Sequence, residues 1–146
     1  AGNILELGTG TGVGTAWLLD GLDAHARLVT VEQDAALAAV AREHLGHDSR
    51  VTFVVEDAAA YVSRVDGERF DLIFADTWVG KFTHVDEVLG LLADGGLYVL
   101  DDMLPQSNWP DGHAEKVDAL LAGLDARRDL LVTKLSWASG IVIAAK

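Results

Sequence analysis

The chain has 146 residues, a formal net charge of −12 and no cysteine, which is enough length for one domain with a real core. The acidity argues against a DNA or RNA partner, which calls for a basic face, and the missing cysteine rules out disulfides, thiolate metal sites and a cysteine nucleophile. No apolar run approaches the ~20 residues of a membrane span and no signal-peptide pattern is read, so a cytoplasmic protein without a membrane partner is expected.

The first stretch is the most informative. Ile4-Leu5-Glu6-Leu7-Gly8-Thr9-Gly10-Thr11-Gly12-Val13-Gly14 is an apolar run, an acid, a glycine-dense turn and the start of a helical pattern over Val13–Leu22. Strand, tight loop, helix is the entry to a nucleotide-type pocket in an open α/β sheet. Gly8 followed by Gly10 and Val13 misses G-x-G-x-x-G, as does Gly10 followed by Gly12 and Thr15, which disfavours a nicotinamide-dependent oxidoreductase. The chain starts almost on its first strand, so a trimmed domain is expected.

Next come a short strand over Ala26–Val31 and a helix over Ala35–Leu45, capped by Asp34 and stopped by Gly46. A strand over Arg50–Val55, a short helix over Ala58–Val65 and an apolar strand over Phe70–Ala75 follow. Apolar spacing predicts a helix over His84–Leu92. Asp94-Gly95-Gly96 reads as a turn into a strand over Leu97–Leu100. A proline-bearing loop leads to a helix near Gly112–Leu124, and Leu130–Trp137 with Gly140–Ala145 forms an antiparallel hairpin that adds one strand at the sheet edge. Strands alternating with helices make the fold class α/β: a three-layer Rossmann-like open sheet, mostly parallel, with an antiparallel C-terminal hairpin strand.

Strand after strand ends in an acid: Glu6, Glu32, Asp57, Asp76, Asp101 and Asp102. Ligands of open α/β sheets lie outside the carboxyl ends of the strands, so these carboxylates ring one crevice. Glu32, at the end of the second strand, suits two ribose hydroxyls, with Gln33 beside the base. Asp57 suits an adenine amine, with the Ala58 N–H facing a ring nitrogen; a helix N-cap is the plainer role for Asp57 and is compatible with the first. Gly14 and Thr15 open the first helix, where a carboxylate is favoured. Glu6 faces either a ligand amino group or the N–H groups of its own loop. Asp76, Asp101 and Asp102 come from neighbouring strand ends, and their crowded charge calls for a hard cation such as Mg²⁺; a loop-capping role for Asp101 or Asp102 is the alternative. Trp78 offers an aromatic wall.

The E-x-G-x-G-x-G stretch, Glu6 to Gly12, resembles motif I of the class I S-adenosylmethionine-dependent methyltransferases. With Glu32, Glu56-Asp57-Ala58, Phe70–Trp78, Gly95–Met103 and the hairpin, the chain resembles the cation-dependent O-methyltransferases, the family of catechol and caffeoyl-coenzyme A O-methyltransferases. The resemblance implies one S-adenosylmethionine-binding domain over residues 1–146, lacking the family's N-terminal helices. The cofactor would be held by Glu6, Gly8, Gly10, Gly12, Gly14, Thr15, Glu32, Gln33, Asp57, Ala58, Asp76 and Trp78. A cation would sit on Asp76, Asp101 and Asp102, and a small-molecule hydroxyl would be methylated, with homodimers seen among relatives. Where the family carries its catalytic lysine this chain has Val79, so Lys81, two residues on, is the candidate to take the proton beside Asp76; the family's Asn is Asp102, and its serine is replaced by Gly14. Other readings are a metal-independent small-molecule methyltransferase, aminopropyl transfer on the same fold, or a non-catalytic cofactor-binding domain.

Overall fold

The computed structural model describes residues 2–146. Seven strands, β1 (Asn3–Leu7), β2 (Arg27–Glu32), β3 (Val51–Val55), β4 (Phe70–Ala75), β5 (Leu92–Leu100), β6 (Leu131–Leu135) and β7 (Ile141–Ala145), form one sheet in the order β3-β2-β1-β4-β5-β7-β6. The helices are α1 (Val13–Gly21), α2 (Ala35–Leu45), α3 (Ala58–Arg64), α4 (Val85–Gly90) and α5 (His113–Asp125). Strands β1 to β5 pair in parallel, and β7 runs antiparallel to both neighbours.

Both faces of the sheet are covered, as its almost wholly apolar central strand requires. On one face Ile4 and Leu28 pack with Leu19 of α1 and with Leu45. On the other, Leu5, Leu7 and Ile73 join Tyr61 of α3, Val88 of α4 and Leu120 of α5 in the larger core. Successive strand residues point to opposite faces, so Glu6 shares the Ile4 face with α1. The expected three layers therefore form around a strand that carries one acid inward.

Two elements depart from the expected pattern. The helix over His84–Leu92 ends at Gly90, and the chain enters β5 at Leu92 rather than Leu97. Gly95, at φ 80, absorbs a shift of register between Phe70 and Leu72 within the strand. Its N–H donates to the Lys146 carbonyl at 2.9 Å, so the D-G-G stretch is a bulged strand and not a turn. The hairpin adds two strands, with antiparallel β7 inside next to β5 and β6 at the edge. No described helix is long and apolar enough to cross a membrane.

Candidate functional site

The glycine loop follows from close packing between strand ends. Gly8 has φ 100, and a Cβ there would stand 2.7 Å from the Asp76 carbonyl oxygen, so only glycine lets the ends of β1 and β4 meet. A Cβ on Gly14 would fall 2.5 Å from Glu6 Oε1, which is why no serine fits at this helix start while Glu6 holds its rotamer. Gly12 backs onto Ala41 of α2.

Glu6 is fully buried. Its Oε2 accepts from the Thr15 hydroxyl at 2.5 Å and the Thr30 hydroxyl at 2.6 Å. With Thr30 donating there, the Thr9 hydroxyl donates to Thr30 at 2.5 Å. Oε1 has no partner among the described residues. Burial raises the Glu6 carboxyl to about pH 7, against the lowering pull of the two hydroxyls. The Thr15 side chain is thus engaged with Glu6 and buried beneath the loop, and what it offers a ligand at the helix start is its backbone.

Glu32, at the end of β2, staples the loop: Oε2 accepts from the Gly10 N–H and Oε1 from the Asp34 N–H, both at 2.9 Å. Asp34 caps α2 as expected, accepting from Ala36 N–H at 2.8 Å. Asp57 caps α3 through the Ala60 N–H at 3.0 Å. Two adjoining cavities open over these strand ends. One, about 280 Å³, lies on Glu6, Gly10, Gly14 and Glu32; the other, about 250 Å³, on Glu32, Gln33, Asp57, Ala58 and Trp78. They share Gly8, Glu32 and Thr77, which makes them one groove running from the helix start to Asp57.

A third cavity, about 340 Å³, continues past Trp78 and is bordered by Asp76, Lys81, Phe82, Asp102 and His113. Lys81 is 6 % exposed, and its Nζ meets Asp76 Oδ1 at 3.3 Å. Burial raises the Asp76 carboxyl above its usual range; Lys81 pulls it down, and Asp101 and Asp102 add to the rise. The rings of Trp78, Phe82 and His113 meet edge-to-face, with Phe82 and His113 centroids 5.0 Å apart, and Trp109 lies tilted against His113 at 4.5 Å.

The expected cation set does not assemble. Asp101 Oδ1 accepts from the Ser139 hydroxyl at 2.5 Å and from the Asp102 N–H at 2.7 Å. Asp102 takes a left-handed φ of 59. Among the described residues no three His, Cys, Asp or Glu side chains group so as to hold a metal ion. The carboxylates do end neighbouring strands, but Asp101 is turned toward the hairpin, where it clamps the 137–140 turn onto the loop after β5 together with the Met103–Gly140 and Leu104–Ser139 backbone bonds.

Sequence reasoning missed Tyr98. Fully buried on β5, its hydroxyl donates to the Gly80 carbonyl and so pins the turn that carries Trp78 and Lys81. The one signal was a polar-tipped ring in an otherwise aliphatic strand. Thr30 and Ser139 were also missed.

Comparison with known proteins gives a consistent picture. Residues 5–103 match a family described as a methyltransferase domain. A catechol O-methyltransferase from Mycobacterium tuberculosis is 32 % identical over 108 residues, covering 71 % of this chain and 49 % of that protein. Another from Niastella koreensis is 34 % identical over 111 residues, covering 71 % and 50 %. Among solved structures, an SAH-bound methyltransferase from Podospora anserina superposes with a TM-score of 0.79 at 27 % identity, over 97 % of this chain and 70 % of its own. The chain spans about half the length of the curated relatives it matches.

Proposed function

Because the chain belongs to the family of methyltransferase domains, we propose that it moves the methyl group of S-adenosylmethionine onto a hydroxyl oxygen of a small molecule. The observation that carries this reading is the single groove from the Gly10–Gly14 helix start through Glu32 to Asp57, opening past Trp78 onto a cavity that holds a buried lysine. The residues fit the cofactor. Glu6 keeps one buried oxygen without a partner at the loop, and the glycines leave the groove floor clear of side chains. Glu32 would exchange its two backbone donors for ribose hydroxyls. Asp57 and the Ala58 N–H would read the adenine edge. The first N–H groups of α1 would face the amino-acid carboxylate.

When bound, the cofactor supplies an electrophilic methyl carbon on a positively charged sulfur. The chain's own work is placement and proton handling. Trp78 and Asp76 stand where the cofactor groove meets the acceptor cavity and would hold the acceptor against a bound cofactor. As the oxygen attacks, its proton passes to the Asp76 carboxylate, while the Lys81 ammonium, 3.3 Å from Asp76 Oδ1, stabilises the developing oxyanion. A divalent cation is given no part here: Asp101 Oδ1 is engaged with Ser139, and no group of three His, Cys, Asp or Glu side chains forms a cation site among the described residues.

Calorimetric titration of S-adenosylmethionine tests the reading, on the wild-type chain and on Glu32→Ala. Loss of two ribose bonds to a charged acceptor weakens binding by roughly 10- to 100-fold. Equal affinity in the two chains, or no binding by a folded wild type, would overturn it. Repeating the titration with Mg²⁺ and with chelator should give the same affinity.

A further inference from the structure

A cavity of about 610 Å³ lies between α4 and α5. It meets the acceptor cavity along Trp78, Lys81 and Phe82. Its floor is apolar, from Val85, Leu120 and Leu124. Its rim is not: Lys81, Lys116 and Arg127 all border it, three of the eleven basic residues in a chain of net charge −12. Two of these cations already have partners. Arg127 pairs with Asp86 at 2.6 Å and Asp129 at 2.8 Å, and Lys81 with Asp76. Lys116 makes no ion pair among the described residues; its Nζ lies 4.4 Å above the Trp78 ring, at the seam between the two cavities.

An anion approaching this protein meets a repulsive field almost everywhere, and a local cluster of cations is where it accumulates. A lysine held over an indole face leaves its donors free for a ligand. The adjoining cavity is walled by rings set edge-to-face, with His113 Nδ1 buried and without a partner among the described residues. Such a wall takes a flat ring.

Resting on the methyltransferase reading, we propose that the methyl acceptor is an aromatic acid. Its ring lies against Trp78, Phe82 and His113 with the reacting hydroxyl toward Lys81, and its carboxylate reaches Lys116 at the mouth of the α4–α5 groove. The ion pair selects the acceptor, and Lys116 takes no part in cofactor binding.

The test is calorimetric titration of the SAH-saturated chain with two probes that differ only in charge, 3,4-dihydroxybenzoate and 3,4-dihydroxybenzamide, on wild type, Lys116→Ala and Lys116→Arg. Position 116 is exposed on α5, so both variants fold. The acid should bind about fivefold more tightly than the amide in wild type, as one exposed ion pair provides. The preference should fall to parity in Lys116→Ala, return in Lys116→Arg and shrink in 0.5 M salt, with SAH affinity constant throughout. Equal binding of both probes to wild type, a preference that survives in Lys116→Ala, or no binding of either probe to SAH-loaded chain overturns the proposal. Failure of SAH itself to bind the folded chain overturns the methyltransferase reading, and this proposal with it.

Discussion

Glu6 makes the stability of this domain depend on pH in an unusual direction. The carboxyl titrates near 4.5 in the unfolded chain and is raised to about 7 in the folded one by burial. Between those values the folded state holds more protons than the unfolded state, so unfolding free energy falls as pH rises through the window and levels off above it. The difference of about 2.5 in pH converts, at 1.36 kcal/mol per pKa unit, to about 3 kcal/mol of destabilisation at pH 8 relative to pH 4.5. Glu6→Gln removes the charge and keeps the shape. Its amide oxygen still accepts from Thr15 and Thr30, and its NH₂ takes the place of the partnerless Oε1. Urea unfolding of both chains from pH 4.5 to 8.5 measures the effect, and subtracting the two curves cancels every other titrating group. The variant should gain on the wild type by up to about 3 kcal/mol at alkaline pH, with the two converging near pH 4.5. Parallel curves would refute the reasoning, because they would mean that Glu6 ionises in the folded state as easily as in water.

Two further substitutions probe the frame around the site. Tyr98→Phe leaves the buried Gly80 carbonyl without its donor and should cost about 1–3 kcal/mol in urea unfolding; since that bond pins the turn carrying Trp78, the variant should also show faster hydrogen exchange at Gly80–Thr83, and an unchanged exchange pattern would deny the anchoring role. Asp57 separates capping from ligand recognition. Asp57→Ala should lose about 1 kcal/mol of stability with the cap, whereas Asp57→Asn keeps the cap yet presents an amide to the adenine, so S-adenosylmethionine binding should weaken in Asn without loss of thermal stability.

The frame of the fold was legible because its signals are local. Apolar runs ending in acids marked β1 to β4, and Asp34 and Asp57 announced the helices they cap within three residues. Asp94-Gly95-Gly96 misled because the same dipeptides serve turns and bulges, and only the Lys146 carbonyl across the sheet decides between them. The order of β6 and β7 is likewise a matter of pairing with β5, which no stretch of the hairpin encodes by itself. The site was legible as a ring of strand-end carboxylates and not as a set of side-chain directions. Tyr98 meets Gly80 from 18 residues away, Thr30 meets Glu6 from 24, and Ser139 meets Asp101 from 38. The last of these contacts ties Asp101 to the hairpin, so adjacent strand ends give neighbouring acids without giving a ready-made ligand cage.

Trp78 has a consequence for the groove as a whole. Half exposed, it is the shared partition of the adenine end, the acceptor cavity and the α4–α5 groove. A change in the rotamer of this indole therefore reshapes all three spaces at once, and any coupling free energy it carries between two ligands acts equally on both.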